Sequence, residues 1–197
     1  MRLKILFAVC FLAATSVGPA AEVAIELDPR NSSVAFVLQA TLHSVHGRAD
    51  VPSGSLILDT ESGVMSGEVV VDAVSAGTGN KNRDKKMHAK VLRSAEHPLI
   101  VLRPHRLKGN LATSGASDVV LHGDMVILGR SHEVHIPLHV EIVGEHFTAA
   151  ADFEVPYVEW GMEDPSTFVL RVAKVVEVTV RVSGPITTGA RAGPDHS

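Results

Sequence analysis

Apolar side chains recur at every second position through most of this chain, and that period permits few folds. Val34, Phe36, Leu38, Ala40 and Leu42 alternate with Ser33, Ala35, Val37, Gln39 and Thr41. Val134, Ile136, Leu138, Val140 and Ile142 alternate with His135, Pro137, His139 and Glu141. A repeat of two is the mark of a strand with one buried face. Similar runs cover residues 55–59, 68–73, 99–103, 119–128, 147–155 and 167–182, and valine, which suits a pleated surface, is abundant in them. Between the runs stand turn-forming groups: Ser53-Gly54, Glu61-Ser62-Gly63, Lys108-Gly109-Asn110, Thr113-Ser114-Gly115, Leu128-Gly129-Arg130 and Val143-Gly144-Glu145. Strands joined at this spacing by short turns predict an all-β antiparallel barrel or sandwich.

Three segments depart from the period. Residues 80–94 place Met87, Val91 and Leu92 on one helical face among lysines and arginines, with Asn80 or Asn82 as the cap. This predicts one short amphipathic helix closing or covering an end of the barrel. At the start, Arg2 and Lys4 precede an apolar run, and Gly18-Pro19-Ala20 supplies a small-x-small exit. That pattern predicts a signal peptide over residues 1–20, cleaved after Ala20 or Ala21. The run falls short of the ~20 residues that span a bilayer, so no stable membrane insertion is expected and the mature chain is placed in the periplasm or outside the cell. At the other end, the Gly/Pro/Thr-rich residues 183–197 predict a disordered tail. The domain is therefore expected at residues 21–182, a size suited to one core.

Charge narrows the partners. Removing Arg2 and Lys4 from the 18 basic residues leaves 16 against 22 acids, a formal charge of −6. A mildly acidic chain has no electrostatic attraction for nucleic acid, and Phe36, Phe147, Phe153, Phe168, Tyr157 and Trp160 are too few for base stacking. The single cysteine, Cys10, lies in the leader, so no disulfide is expected.

The 11 histidines raise the question of a metal. His135 and His139 share a strand face but stand ~13 Å apart at the usual rise, and His132 and His135 fall on opposite faces. His43 and His46 form the best pair, through a bend at Ser44-Val45. None sits in a metal-ligand motif, and no metal site is expected. Gly63-Val64-Met65-Ser66-Gly67 misses the nucleophile-elbow spacing by one residue, and Gly77-Thr78-Gly79 lacks the third glycine of a dinucleotide loop. No catalytic residue emerges, and the chain is read as a binding protein rather than an enzyme. Arg83 and Asp84 open the helix, where the acid favours the helix dipole and the arginine can bridge to a neighbouring strand. Tyr157 and Trp160 fall together in residues 155–166 and suit the mouth of a cavity.

The order of these motifs resembles the YceI-like lipid- and polyisoprenoid-binding family, across residues 23–182. The resemblance rests on VVVDAVSAGTGNKNRD at residues 69–84, with its Arg83-Asp84 pair, on His97-Pro98 followed by Ile100, and on Gly123-Asp124 followed by Gly129. Asn31-Ser32 and Ile100-Val101-Leu102 depart from the His-Ser and aromatic positions of the family. LHSVHG and VPYVEWGMEDPSTF resemble marks of a subgroup. The resemblance implies a lipocalin-like antiparallel barrel with an apolar tunnel for an isoprenoid lipid or quinone, and no reaction or other cofactor. It is compatible with a homodimer.

The alternation supplies the candidate ligand contacts. Phe36, Leu38, Leu42, Val69, Val71, Met87 and Val91 are expected to face the lumen. So are Ile127, Ile136, Leu138, Val140, Phe147, Phe153, Tyr157, Trp160, Phe168 and Leu170. Two other readings fit the same chain: an exported metal or haem handler using His43, His46 or the His132–His139 strand, and a stress-related interaction protein whose barrel is plugged by its own side chains.

Overall fold

Strand-forming runs become nine strands in a computed structural model that describes residues 21–41, 43–166 and 171–190. They are β1 (Ala21–Glu26), β2 (Ser33–Leu38), β3 (Val45–Asp59), β4 (Met65–Gly77) and β5 (Leu99–Lys108). β6 (Gly115–Ile127), β7 (Arg130–Val143), β8 (His146–Val155) and β9 (Val176–Ala190) follow. Every pairing is antiparallel. β3 pairs with β4 at one margin and β9 pairs with β1 and β2 at the other, so the sheet closes on itself. β1 and β2 both lie between β3 and β9, separated by a 3₁₀ turn at Pro29–Asn31. They act as one broken stave, and the barrel has eight staves. The expected leader, Leu42, Phe168, Leu170 and residues 191–197 lie outside the described residues.

Alternation sets which face each side chain meets. On β6, Val119, Leu121, Met125 and Ile127 are buried, and the intervening residues are less so. β6 and β7 are joined by a two-residue turn at Leu128 (φ 50°) and Gly129 (φ 72°), bounded by the Ile127–Arg130 pair. Positive φ at both central positions matches the right-handed twist of a hairpin; glycine adopts it freely and leucine does so at a cost.

Three expectations are corrected. Ser53-Gly54 is not a turn between strands, because β3 runs through it. Its register against β4 shifts between Asp50 and Ser53, and Pro52 and Ser53 are both exposed. The extra residue of this bulge re-aims the strand, so Val51 faces inward before it and Leu56 and Leu58 after it. Proline is tolerated at such a point because the ladder there takes no N–H from it. The tail is ordered further than composition implied: β9 reaches Ala190, and residues 186–190 pair with residues 21–25 of β1. A Gly/Pro/Thr-rich segment becomes strand here because a partner strand satisfies its backbone. Finally, the helix is split. α1 (Lys81–Lys86) passes into one turn of π-helix at Met87–Val91, where the Leu92 N–H donates to the Met87 carbonyl at 2.9 Å.

Candidate ligand cavity

Inward side chains from all eight staves leave the barrel hollow. They enclose a cavity of about 880 Å³, near the upper end of the ~300–1,000 Å³ range of small-molecule sites. Three buried apolar clusters form its wall. One surrounds Leu56, Leu58, Leu121 and Met125 at mid-height. A second closes the end that carries the turns at 60–64, 109–114 and 144–145, where Leu107 and Leu111 pack against Leu27, Val119, Ile142 and Phe147. The third, around Ile127, Val155, Tyr157 and Met162, lies at the end covered by α1, the π turn and the loop after β8.

Most of the expected contacts meet here. Phe36 and Leu38 line the cavity from β2, Val69 and Val71 from β4, and Met87 and Val91 from the helical segment. Ile127, Ile136, Leu138, Val140, Phe147, Phe153 and Tyr157 line it as well. Phe36 lies across Gly47, its direct partner on β3: a Cβ at residue 47 would fall 2.1 Å from the ring. Only glycine lets the ring lie there. Trp160 is a correction. The turn after Val155, with Trp160 N–H donating to the Pro156 carbonyl at 3.0 Å, lays the indole face on His132, with ring centroids 4.3 Å apart. Trp160 packs behind the wall and does not line the cavity.

Several wall residues escaped the sequence reading. Leu56 and Leu58 fall in the alternating run at residues 55–59, and Leu121 and Met125 share the face of Ile127; in both runs the period of two could have found them. Val176, Val178, Val180 and Val182 of β9 also line the space.

Polar groups gather at the covered end. Thr78, Asn82, Arg83, Lys86 and Lys90 line it on the helical side, and Glu163, Asp164 and Ser166 on the loop side. Lys90 and Glu163 form an ion pair across the two at 3.2 Å. Arg83 does not bridge to a strand. Its Nε donates to Thr78 Oγ1 at 2.7 Å and its Nη2 to the Thr78 carbonyl at 3.1 Å. Asp84 accepts from the Thr78 hydroxyl and, at 3.0 Å, from its N–H. The hydroxyl bond from Thr78 above all, joined by the bond from its N–H, holds the Asp84 carboxyl below its ordinary range against the opposing effect of desolvation. The Arg83-Asp84 pair thus fixes the loop that starts α1. Asp164 is likewise held low by its hydrogen bonds to Ser166. Tyr157 donates its hydroxyl to the Ala173 carbonyl at 2.8 Å, and burial pushes its pKa up to about 12. It serves as a fixed wall residue.

The histidine pair expected to be best placed for a metal lines two different spaces: His43 lines the cavity, and His46 a smaller groove between Ala35–Val37 and Gly77–Gly79. Along β7, His132 stacks on Trp160 and His139 Nδ1 lies 2.8 Å from Asp118 Oδ1. Among the described residues no group of three His, Cys, Asp or Glu side chains is placed to hold a metal ion.

A closed antiparallel barrel around an apolar cavity with a polar mouth defines a barrel of the lipocalin-like class. The chain belongs to the YceI-like domain family, which matches residues 26–184. Among solved structures, it is similar to a polyisoprenoid-binding domain from Saccharophagus degradans implicated in plant cell wall breakdown. The two share 18% identity and a TM-score of 0.67 over 87% of this chain and 99% of that one. BcnA of Burkholderia cenocepacia gives 16% identity and a TM-score of 0.63 over 80% and 99%. The YceI protein of Campylobacter jejuni gives 10% identity and 0.53 over 93% of each chain. At these identities the likeness concerns the fold. No curated protein matches the sequence.

Proposed function

We propose that this protein is an exported carrier that holds a long apolar ligand, of the polyisoprenoid or isoprenoid-quinone class, inside its barrel. The observation that carries the reading is the cavity of about 880 Å³, walled by aliphatic side chains from every stave and polar only at one end. Burying each CH₂ contributes about 0.8 kcal/mol, so a long chain binds firmly there without many polar contacts, while its polar end stays at the mouth. The Saccharophagus degradans domain, described as polyisoprenoid-binding, supports the ligand class. The apolar wall supports binding rather than catalysis. The leader-like residues 1–20 support export to the periplasm. Of the two other readings, a barrel plugged by its own side chains conflicts with the cavity, and a metal handler built on His43 and His46 draws no support from a pair that lines two different spaces.

Mass spectrometry of organic extracts tests the ligand. Protein purified from a bacterial host without detergent is expected to release an isoprenoid lipid in stoichiometric amount. Protein that yields none, and does not take up an added isoprenoid quinone, overturns the reading. Intact mass of the exported chain is expected to show a new terminus at Ala21 or Glu22.

A further inference from the structure

Outside the cavity, the histidines concentrate on one face of the barrel. His105, His122, His135 and His139 stand on the outer side of β5, β6 and β7. Three of them face carboxylates: His105 Nε2 lies 3.1 Å from Asp124, His139 Nδ1 2.8 Å from Asp118, and His135 Nε2 3.2 Å from Glu133 Oε1. His122 differs. It stands directly opposite His135 in the β6–β7 ladder, with ring centroids 4.1 Å apart and planes tilted by 47°. Among the described residues neither of its ring nitrogens has a hydrogen bond.

We propose that His122 and His135 form a two-imidazole binding site for a divalent copper ion on the outer face of the barrel, with Glu133 orienting His135. Directly opposed residues of an antiparallel pair have Cβ atoms ~4.5–5.5 Å apart. Two imidazoles so placed reach one ion at metal–nitrogen distances of ~2 Å by small side-chain rotations. Glu133 accepts the Nε2 proton of His135, which leaves the Nδ1 lone pair free; carboxylates orient metal-bound imidazoles in this way.

The site is open and shallow. His135 is about half exposed, among the described residues no third protein ligand converges on the pair, and water completes the coordination. Lys108 and Arg106 lie close enough to act on His122, and their positive charge works against any cation. These conditions select the divalent metal that binds nitrogen donors most strongly. In the divalent series that metal is copper, ahead of zinc and nickel.

The proposal is independent of what the barrel carries. Its test is titration of the purified protein, carrying no polyhistidine tag, with Cu(II) against a competing chelator, followed by electron paramagnetic resonance. One ion per chain with hyperfine coupling from two imidazole nitrogens is expected. His122→Gln and His135→Gln are each expected to weaken binding by tenfold or more. Glu133→Gln is expected to weaken it by about tenfold, and His139→Gln to leave it unchanged. Copper is also expected to raise the melting temperature of the parent but not of the His122→Gln, His135→Gln double variant. Equal copper affinity in the parent and the double variant overturns the proposal. So does a loss that follows His139→Gln or His43→Gln instead.

Discussion

Leu138 and His139 are neighbours in the chain and face opposite media. Leu138 points into the cavity, while His139 is exposed beside Asp118 on the outside. This makes them a matched pair for testing whether the interior is occupied. Leu138→Trp adds bulk to a hollow wall, so it is expected to fold and to lose the co-purifying lipid. In a packed interior the same change costs about 1–3 kcal/mol. His139→Trp is expected to keep the lipid, and lipid content together with urea unfolding reads both variants. Loss of lipid from His139→Trp, or retention by Leu138→Trp, contradicts the assignment of faces. The two faces were legible in the sequence because a period of two needs no knowledge of the partner strand. Trp160 was not, since a turn rather than a strand aims its indole. The His122–His135 pair was not legible either. It depends on the register between β6 and β7, and residues 13 apart in sequence become neighbours only once that register is set.

Among the elements, the helical segment is the one whose stability bears most directly on access to the cavity. It is too short to persist alone, and it is held by its cap, by the Thr78 bonds and by contacts of Met87 and Val91 with the interior. Asn80 Oδ1 accepts from the N–H groups of Asn82 and Arg83 at 3.1 Å each. Asn80→Ala is expected to destabilise α1 by about 1 kcal/mol. Amide exchange across residues 81–91 should then quicken about fivefold, with the exchange of β6 and β7 unchanged. Equal acceleration throughout the barrel would mean that the segment opens only when the whole domain unfolds. The cap and the apolar stripe could be read from residue types, but the passage into π-helix at Met87 could not. The bulge of β3 was hidden for a related reason. Pro52-Ser53-Gly54 carries turn chemistry, and only the continued pairing of Ser55–Asp59 with β1 and of Ser53–Leu58 with β4 keeps it within one strand.

For the molecule as a whole, closure is the property on which a dry interior depends, because an open sheet would expose the same aliphatic face to water. Closure is completed late in the chain. β9 pairs with β8 and β2 through its first half and with β1 through its second, and Ile186 packs against the cluster that seals the turn-bearing end. The composition of residues 183–190 gave no sign of this, since residues 183–185 are held by β8 and residues 186–190 by β1, more than 150 residues earlier. A chain ending at Val182 therefore separates two views of the segment. If it were a loose tail, truncation would leave stability and lipid content unchanged. If it is the last stave, truncation leaves β1 without its β9 partner and removes the burial of Ile186, itself worth ~1–2 kcal/mol. The truncated protein is then expected to melt at lower temperature and to lose its lipid, while Phe36, Leu138 and the rest of the mid-height wall remain in the sequence. Thermal denaturation and lipid extraction of the two lengths decide between the views. A truncated chain that melts with the parent and still carries lipid would show that the barrel closes without β1–β9 pairing.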